Sequence, residues 1–348
     1  MRYIRLFLIT QTLLYSQSSN IHAFLPKTNA LNMSFSLEKV NDTVDIFNVK
    51  DSEIKKKSSL GDMKGVNFNF GYALSDKWYF NLNLNQKSLN YSAYTLTNRE
   101  IEFYSRYMLY RYDNIAFSMD FGYIGNRANN IFMDTLESIN DVLEDVTPNR
   151  EIELKEINSQ QVLFYRGEDG SVKTISLENR AFVSIKDTYD NSFYTRAILS
   201  LKKEAWLFDT YVGYKESKVH NKIDSSFSNE KNPDLEKELK QITLVQNRTD
   251  KMWFVGLGTG YTLDKVQLEV NYRYNYINRI KSLNKVKDNH ILNLNINYNI
   301  NKNLKCFIGG KIMFHQFNGE IPYLYTVYNQ GSFARKHGFA DIGISYEF

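Results

Sequence analysis

The chain has little of what usually fixes a small exported fold. It carries one cysteine, Cys306, so no internal disulfide can form, and a lone thiol of this kind reads as a small apolar side chain rather than as chemistry. Only 4 prolines interrupt 348 residues. After the N-terminus no apolar run approaches the roughly 18 residues that a membrane-crossing helix needs. Together with a mean hydropathy of -0.45, this excludes a helical membrane protein. A net charge of +4 is too small an excess to imply a nucleic-acid partner. No close His or Cys spacing marks a metal site, and no cofactor motif is present, so cofactors are expected to be none. None of these absences touches a membrane β-barrel, in which only every second strand residue meets lipid and the average looks soluble.

What the chain does have is aromatic: 25 Tyr and 23 Phe, a palette that favours strands. Met1 to Tyr15 holds Arg2 and Arg5, then Leu6-Phe7-Leu8-Ile9 and Leu13-Leu14, and turns polar at Ser16-Gln17-Ser18-Ser19. This reads as a secretory signal peptide. Residues 1–23 are expected to be removed after Ala23, with Ile21 at the minus-three position, leaving 24–348 as a single domain of charge +2, since the leader contains two Arg and no acid.

From Leu31 onward apolar residues recur at every second position for about 9 to 11 residues, the length a tilted strand needs to cross a bilayer. Leu292, Leu294, Ile296, Tyr298 and Ile300 alternate with Asn293, Asn295, Asn297 and Asn299. Val266, Leu268, Val270, Tyr272, Tyr274 and Tyr276 alternate with Gln267, Glu269, Asn271, Arg273 and Asn275. The pattern predicts strands at 31–40, 65–74, 78–89, 99–111, 115–124, 191–201, 205–217, 251–263, 266–277, 289–300, 304–314 and 338–348. Tight connections at 75–77, 112–114, 202–204, 264–265 and 301–303 alternate with long ones at 41–64, 90–98, 125–190, 218–250, 278–288 and 315–337. An up-and-down antiparallel barrel separates turns from loops in this way. A soluble sandwich would have to bury a face of Asn, Ser, Asp, Glu, Arg and Lys, which makes a poor core; turning the aromatic face to lipid and the polar face inward resolves this. Tyr72, Trp78, Trp206, Tyr214, Tyr276 and Tyr298 near strand ends fit interfacial girdles.

The last strand places Ala340, Ile342, Ile344, Tyr346 and Phe348 on one face and ends on Phe348. Here the sequence resembles Gram-negative outer-membrane β-barrel proteins of the porin-like class. The resemblance implies a place in the cell outer membrane, export across the inner membrane, outer-membrane lipid around the barrel, and a barrel assembly machinery that reads Ile342, Ile344, Tyr346 and Phe348 as its signal. It identifies a class and no particular channel family.

On the expected lumen face the cations are Arg106, Arg196, Lys215, Arg273, Lys305 and Lys311; the acids are Glu102, Asp120, Asp209, Glu269, Asp341 and Glu347. Six against six predicts weak ion preference if the lumen is open. Gly256, Gly258 and Gly260 alternate on that face, where small residues leave room for a neighbour; a nucleotide loop would need them between a strand and a helix.

The loop at 125–190 is long enough to carry structure of its own and is the expected constriction. Phe132, Leu136, Ile139, Leu143 and Val146 fall at helical spacing, and Gln161–Tyr165 with Val172–Leu177 flank a turn at Gly167-Glu168-Asp169-Gly170. If that hairpin crosses the membrane the barrel has fourteen strands instead of twelve. Glu230, Lys231, Asp234, Glu236, Lys237, Glu238 and Lys240 predict a solvated surface loop. His220, His290, His315 and His337 all sit at long-loop ends, where Asp288, His290 and Ser282 would be the residues of a rim hydrolase, but no nucleophile motif accompanies them.

The expected function is therefore non-enzymatic: passive diffusion of small hydrophilic solutes through the lumen. The alternatives are a closed-lumen barrel whose loops bind a partner or surface, and an outer-membrane hydrolase at the rim.

Overall fold

The computed structural model describes residues 21–40, 62–90, 95–133, 152–158, 160–166, 170–176, 183–225, 247–283, 285–315, 319–325 and 337–348. Its strands are β1 (Leu31–Val40), β2 (Asp62–Ala73), β3 (Trp78–Asn90), β4 (Thr95–Tyr112), β5 (Ile115–Ala128), β6 (Ile131–Met133), β7 (Ile152–Ile157), β8 (Gln160–Arg166) and β9 (Val172–Ser176). They continue with β10 (Val183–Lys203), β11 (Trp206–Ser225), β12 (Arg248–Leu263), β13 (Val266–Asn278), β14 (Asp288–Asn299), β15 (Leu304–Met313) and β16 (His337–Glu347).

Twelve of these, β1 to β5 and β10 to β16, pair antiparallel with their chain neighbours. The ring closes where β16 returns to β1, with Phe35 opposite Ile344 and Leu37 opposite Ile342. Closure leaves no unpaired edge, the condition for a sheet in lipid. β6 is a spur on the long-loop end of β10. β7, β8 and β9 form a separate three-stranded sheet, so the hairpin expected around Gly167–Gly170 is present but adds no strand to the barrel, which has twelve strands and not fourteen. Its strands hold 6, 7 and 5 residues, too few to cross a bilayer.

Three tight turns close with a residue at positive φ: Asp113 at 45° and Asp264 at 48°, a type that tolerates it, and Glu204 at 52°. At the other end the strands outrun the sequence expectation. β10 begins at Val183 and β11 ends at Ser225, because alternation and pairing continue past the lipid belt. The connection expected as long at 90–98 shrinks to residues 91–94, since Leu89 pairs with Leu96 and Asn90 with Thr95. Leu136, Ile139, Leu143 and Val146 of the expected helical segment, and the charged run 230–240, lie outside the described residues; Phe132 belongs to β6.

The two faces separate as lipid and lumen require. Phe193 (64% exposed), Leu257 (60%) and Ile342 (58%) face out, while Asp120, Ser192 and Asn275 on the inner face have no exposure at all. Aromatic pairs mark both rims. Trp78 meets Tyr107 at 4.7 Å and Trp206 meets Tyr261 at 4.6 Å at the tight-turn end, and Tyr214 meets Trp253 at 4.8 Å at the other. Inside, the glycines make room for rings: Tyr211 on β11 lies across Gly256 on β12, where any Cβ would fall 2.0 Å from its ring, and its hydroxyl donates to Asn271 Oδ1 at 2.9 Å.

Candidate functional site in the barrel lumen

Two segments that belong to no barrel strand enter the lumen. The first, Ile21–Pro26, precedes β1. Ala23 is fully buried against a cluster containing Met108, Ala116, Ile198 and Tyr211, with Ile21, Phe24 and Leu25 packed beside it. Its backbone is held by inward side chains: Ala23 N donates to Ser200 Oγ at 2.6 Å, and Arg106 donates to the His22 carbonyl. Ser200 in turn donates to Asp209.

Arg106 is fixed by Asp120. Its Nε reaches Oδ1 at 2.6 Å and its Nη2 reaches Oδ2 at 2.9 Å, while Arg196 shares the same carboxylate through Nε at 2.9 Å. One fully buried acid between two guanidiniums leaves a net positive charge, next to which Tyr194 donates to Glu102 at 2.8 Å. Such a buried triad is costly to break from one side.

The second segment, Gly319–Tyr325, comes from the connection between β15 and β16 and includes a short 3-10 turn at Pro322–Leu324. Ile321 and Tyr325 are fully buried and Tyr323 and Leu324 nearly so. Its carbonyls accept from wall cations, Gly319 O from Lys215 and Pro322 O from Arg248 at 2.8 Å. Tyr323 donates its hydroxyl to Asn98 at 2.8 Å and its N–H to Asp190 at 3.4 Å. The Tyr325 hydroxyl accepts from Val286 N at 3.0 Å, and Arg279 stacks 4.0 Å over its ring. Arg279 and Arg248 both bridge to Asp250, at 3.1 and 2.8 Å. Glu320 lies 3.5 Å from both Lys311 and Arg273. Burial alone would raise its carboxyl, but Lys311, Lys87, Arg273 and Lys215 outweigh burial and bring it down to about 2.

Between the two segments a cavity of about 550 Å³ remains. Of the residues assigned to the lumen from sequence, Glu102, Arg106, Arg196, Lys215, Glu269, Arg273, Lys305, Lys311 and Glu347 line it. Asp120 and Asp209 lie behind it, engaged by Arg106, Arg196 and Ser200, and Asp341 sits beside Gly309 on the same face. Sequence reasoning missed Glu38, Lys87 and Glu100, which share this cavity; Lys87 and Glu38 pair at 3.7 Å. Strand parity alone would have found them. It also missed Arg248, Asp250, Arg279 and Glu320, of which the first two extend β12 by the same alternation. The inserted segment comes from the 315–337 connection. The described parts of the 125–190 loop are the ends of β5 and β10, the short β6, and the β7–β9 sheet, whose Glu153, Lys155 and Glu156 face solvent.

At the outer rim His290 Nε2 lies 3.6 Å from Asp288 Oδ2, its Nδ1 meets the Tyr272 hydroxyl at 2.7 Å, and His315 contacts the Asp288 carbonyl. The hydroxyl on the His290 ring is thus a phenol packed on the sheet. Among the described residues no group of three or more His, Cys, Asp or Glu is arranged to hold a metal ion.

No family model matches the chain, and no curated protein matches it. Solved structures do. The NanC porin aligns with 90% of this chain and 99% of its own at a TM-score of 0.46 and 9% identity. The translocator domain of the autotransporter NalP from Neisseria meningitidis aligns with 100% of this chain and 95% of its own, at 0.46 and 8%. The outer membrane phospholipase A from Escherichia coli aligns with 95% and 94%, at 0.34 and 12%. A closed up-and-down ring, apolar outside and polar within, with tight turns at one end and long loops at the other, is the architecture of a twelve-stranded outer-membrane β-barrel.

Proposed function

We propose that the protein is a gated outer-membrane channel for passive diffusion of small hydrophilic solutes, with Gly319–Tyr325 as the gate at the extracellular mouth and the segment before β1 as a barrier on the periplasmic side until the leader is removed. The observation that carries this reading is what fills the lumen. Its own strands leave it polar and partly empty, and the remaining space is taken by two segments and a cavity of about 550 Å³. A barrel serving only as a scaffold has no need of that space, because wall side chains can fill a small barrel outright. The gate is anchored through side-chain and carbonyl contacts and adds no strand to the sheet, so its release leaves the barrel intact.

Selectivity in this reading falls on Arg273, Lys311, Lys215, Glu102 and Glu269, which border the cavity. Arg106 and Arg196 are locked by Asp120 and act as structural charges. The C-terminal residues Ile342, Ile344, Tyr346 and Phe348 serve as the assembly signal read by the barrel assembly machinery, and residues 1–23 as the export leader; cleavage after Ala23 removes the contacts of His22 and Ala23 with Arg106 and Ser200 and leaves Phe24–Pro26 as the mature terminus. The protein is not an enzyme in this account.

The test is uptake by proteoliposomes. Removal of Gly319–Tyr325 is expected to raise the swelling rate in small neutral sugars. A folded barrel that stays impermeable after both segments are removed would instead support a closed-lumen protein whose loops bind a partner.

A further inference from the structure

Outside the barrel, at the extracellular edge of the lipid belt, one row of opposed residues does not suit hydrocarbon. Gln86 faces Arg99, Arg99 faces Arg127, Arg127 faces Tyr189, and Tyr189 faces His220, whose ring lies 4.8 Å away. Two residues closer to the membrane centre β3 and β4 carry Leu84 and Ile101, in register with Phe68 of the neighbouring β2, and β5 carries Gly125. A groove of about 880 Å³ runs along these two rows.

Arg99 and Arg127 are both exposed and directly opposite, and among the described residues neither has an ion pair or a hydrogen-bonding side-chain partner. Like charges in that relation repel. The acid on the groove's exposed face, Asp187, forms no salt bridge with either among the described residues. A group with two negative charges and several acceptor oxygens, set between the guanidiniums, removes the repulsion and accepts from both donor forks. Below it the floor is apolar: Phe35 faces Phe68, and Leu84 and Ile101 continue the surface.

We infer that this groove docks a phosphate-bearing lipid of the extracellular leaflet, with the phosphate between Arg99 and Arg127 and an acyl chain along Phe35, Phe68, Leu84 and Ile101. Charge complementarity selects the headgroup, and the position of the apolar floor within the lipid-facing belt selects a lipid over a soluble partner. The site is independent of the lumen and of transport.

The test uses the full chain in uncharged detergent, titrated with dioleoyl phosphatidic acid and, separately, dioleoyl phosphatidylcholine, and read by native mass spectrometry. Phosphatidic acid is expected to bind in one-to-one stoichiometry, and Arg99→Gln with Arg127→Gln to weaken it by about tenfold or more, the scale of losing charge-assisted hydrogen bonds. Lys251→Gln, which removes a rim cation on the far wall, is the control. An equal loss from the control, or equal binding of the two lipids, would overturn the inference in favour of unspecific adsorption. Full competition by inorganic phosphate would overturn the lipid assignment and leave a free-anion site. The single variant Arg99→Gln repeats the measurement with less disturbance of the sheet, and heat-modifiable migration confirms that each variant is folded.

Discussion

Glu320 is the charged side chain of the gate, held by Arg273 and Lys311. Its carboxyl is brought from 4.5 to about 2 when the segment is docked, a change that corresponds to about 3 kcal/mol if taken whole. The side chain is 17% exposed and borders a water-accessible cavity, so solvent screening reduces this to about 1 to 3 kcal/mol. Glu320→Gln keeps the shape and one acceptor oxygen while removing the charge. At neutral pH it is expected to raise the ratio of undocked to docked gate by about 5- to 150-fold. The pH dependence has a definite sign. Because the docked value lies below the free one, the docked form binds fewer protons, and the stabilisation is complete above about pH 4.5 and is lost as pH falls toward about 2. In planar bilayers the variant should open more often than the natural protein at pH 7, and the difference should narrow on acidification through pH 4.5 toward pH 3. Equal open probability at pH 7, with both barrels folded, would refute the reasoning.

Gly319 has φ of 98°, and a Cβ there would lie 2.8 Å from Ile277 and 3.0 Å from the Met252 sulfur. Gly319→Val is therefore expected to loosen the gate by about 1 kcal/mol or more and to increase channel opening in the same assay without loss of heat-modifiable barrel migration. Asp120→Ala leaves Arg106 and Arg196 buried and unpaired, and should cost about 3 to 5 kcal/mol, seen as a lower urea midpoint for unfolding in detergent. Arg273→Ala should shift the reversal potential toward cation preference in a salt gradient, whereas Arg106→Gln, which removes a guanidinium held bidentately by Asp120, should shift it less. Excision of 152–176, a sheet separate from the barrel, should leave folding and conductance unchanged in refolding and bilayer assays.

The barrel was legible because lipid and lumen impose opposite demands on neighbouring residues, and a strand displays both at period two. Leu292 to Ile300 against Asn293 to Asn299 states the fold in nine residues, and the pairing of β14 with β13 and β15 follows from it. The same parity placed Arg106, Arg273 and Lys311 on the lumen side. What parity does not carry is where a connection folds. Gly319–Tyr325 docks through contacts up to 225 residues apart in the chain, such as Arg248 with Pro322 and Asn98 with Tyr323. Local spacing cannot encode those. A signal was nonetheless present: Ile321-Pro322-Tyr323-Leu324-Tyr325 is an apolar run inside a connection, and such a run needs a buried place. The length of 125–190 drew attention away from 315–337, since length reports freedom to fold and not the apolar surface that drives insertion. The docking of Ile21–Pro26 was equally hidden, because a leader boundary and a lumen segment both read as small and apolar.

In the gated-channel reading the lumen becomes a continuous pore when Gly319–Tyr325 leaves it. Single-channel conductance of the refolded mature protein, with and without those seven residues, tests it directly. Discrete steps that are rare in the natural protein and frequent in the deletion are the expected result; silence from both, with the barrels folded, would contradict it.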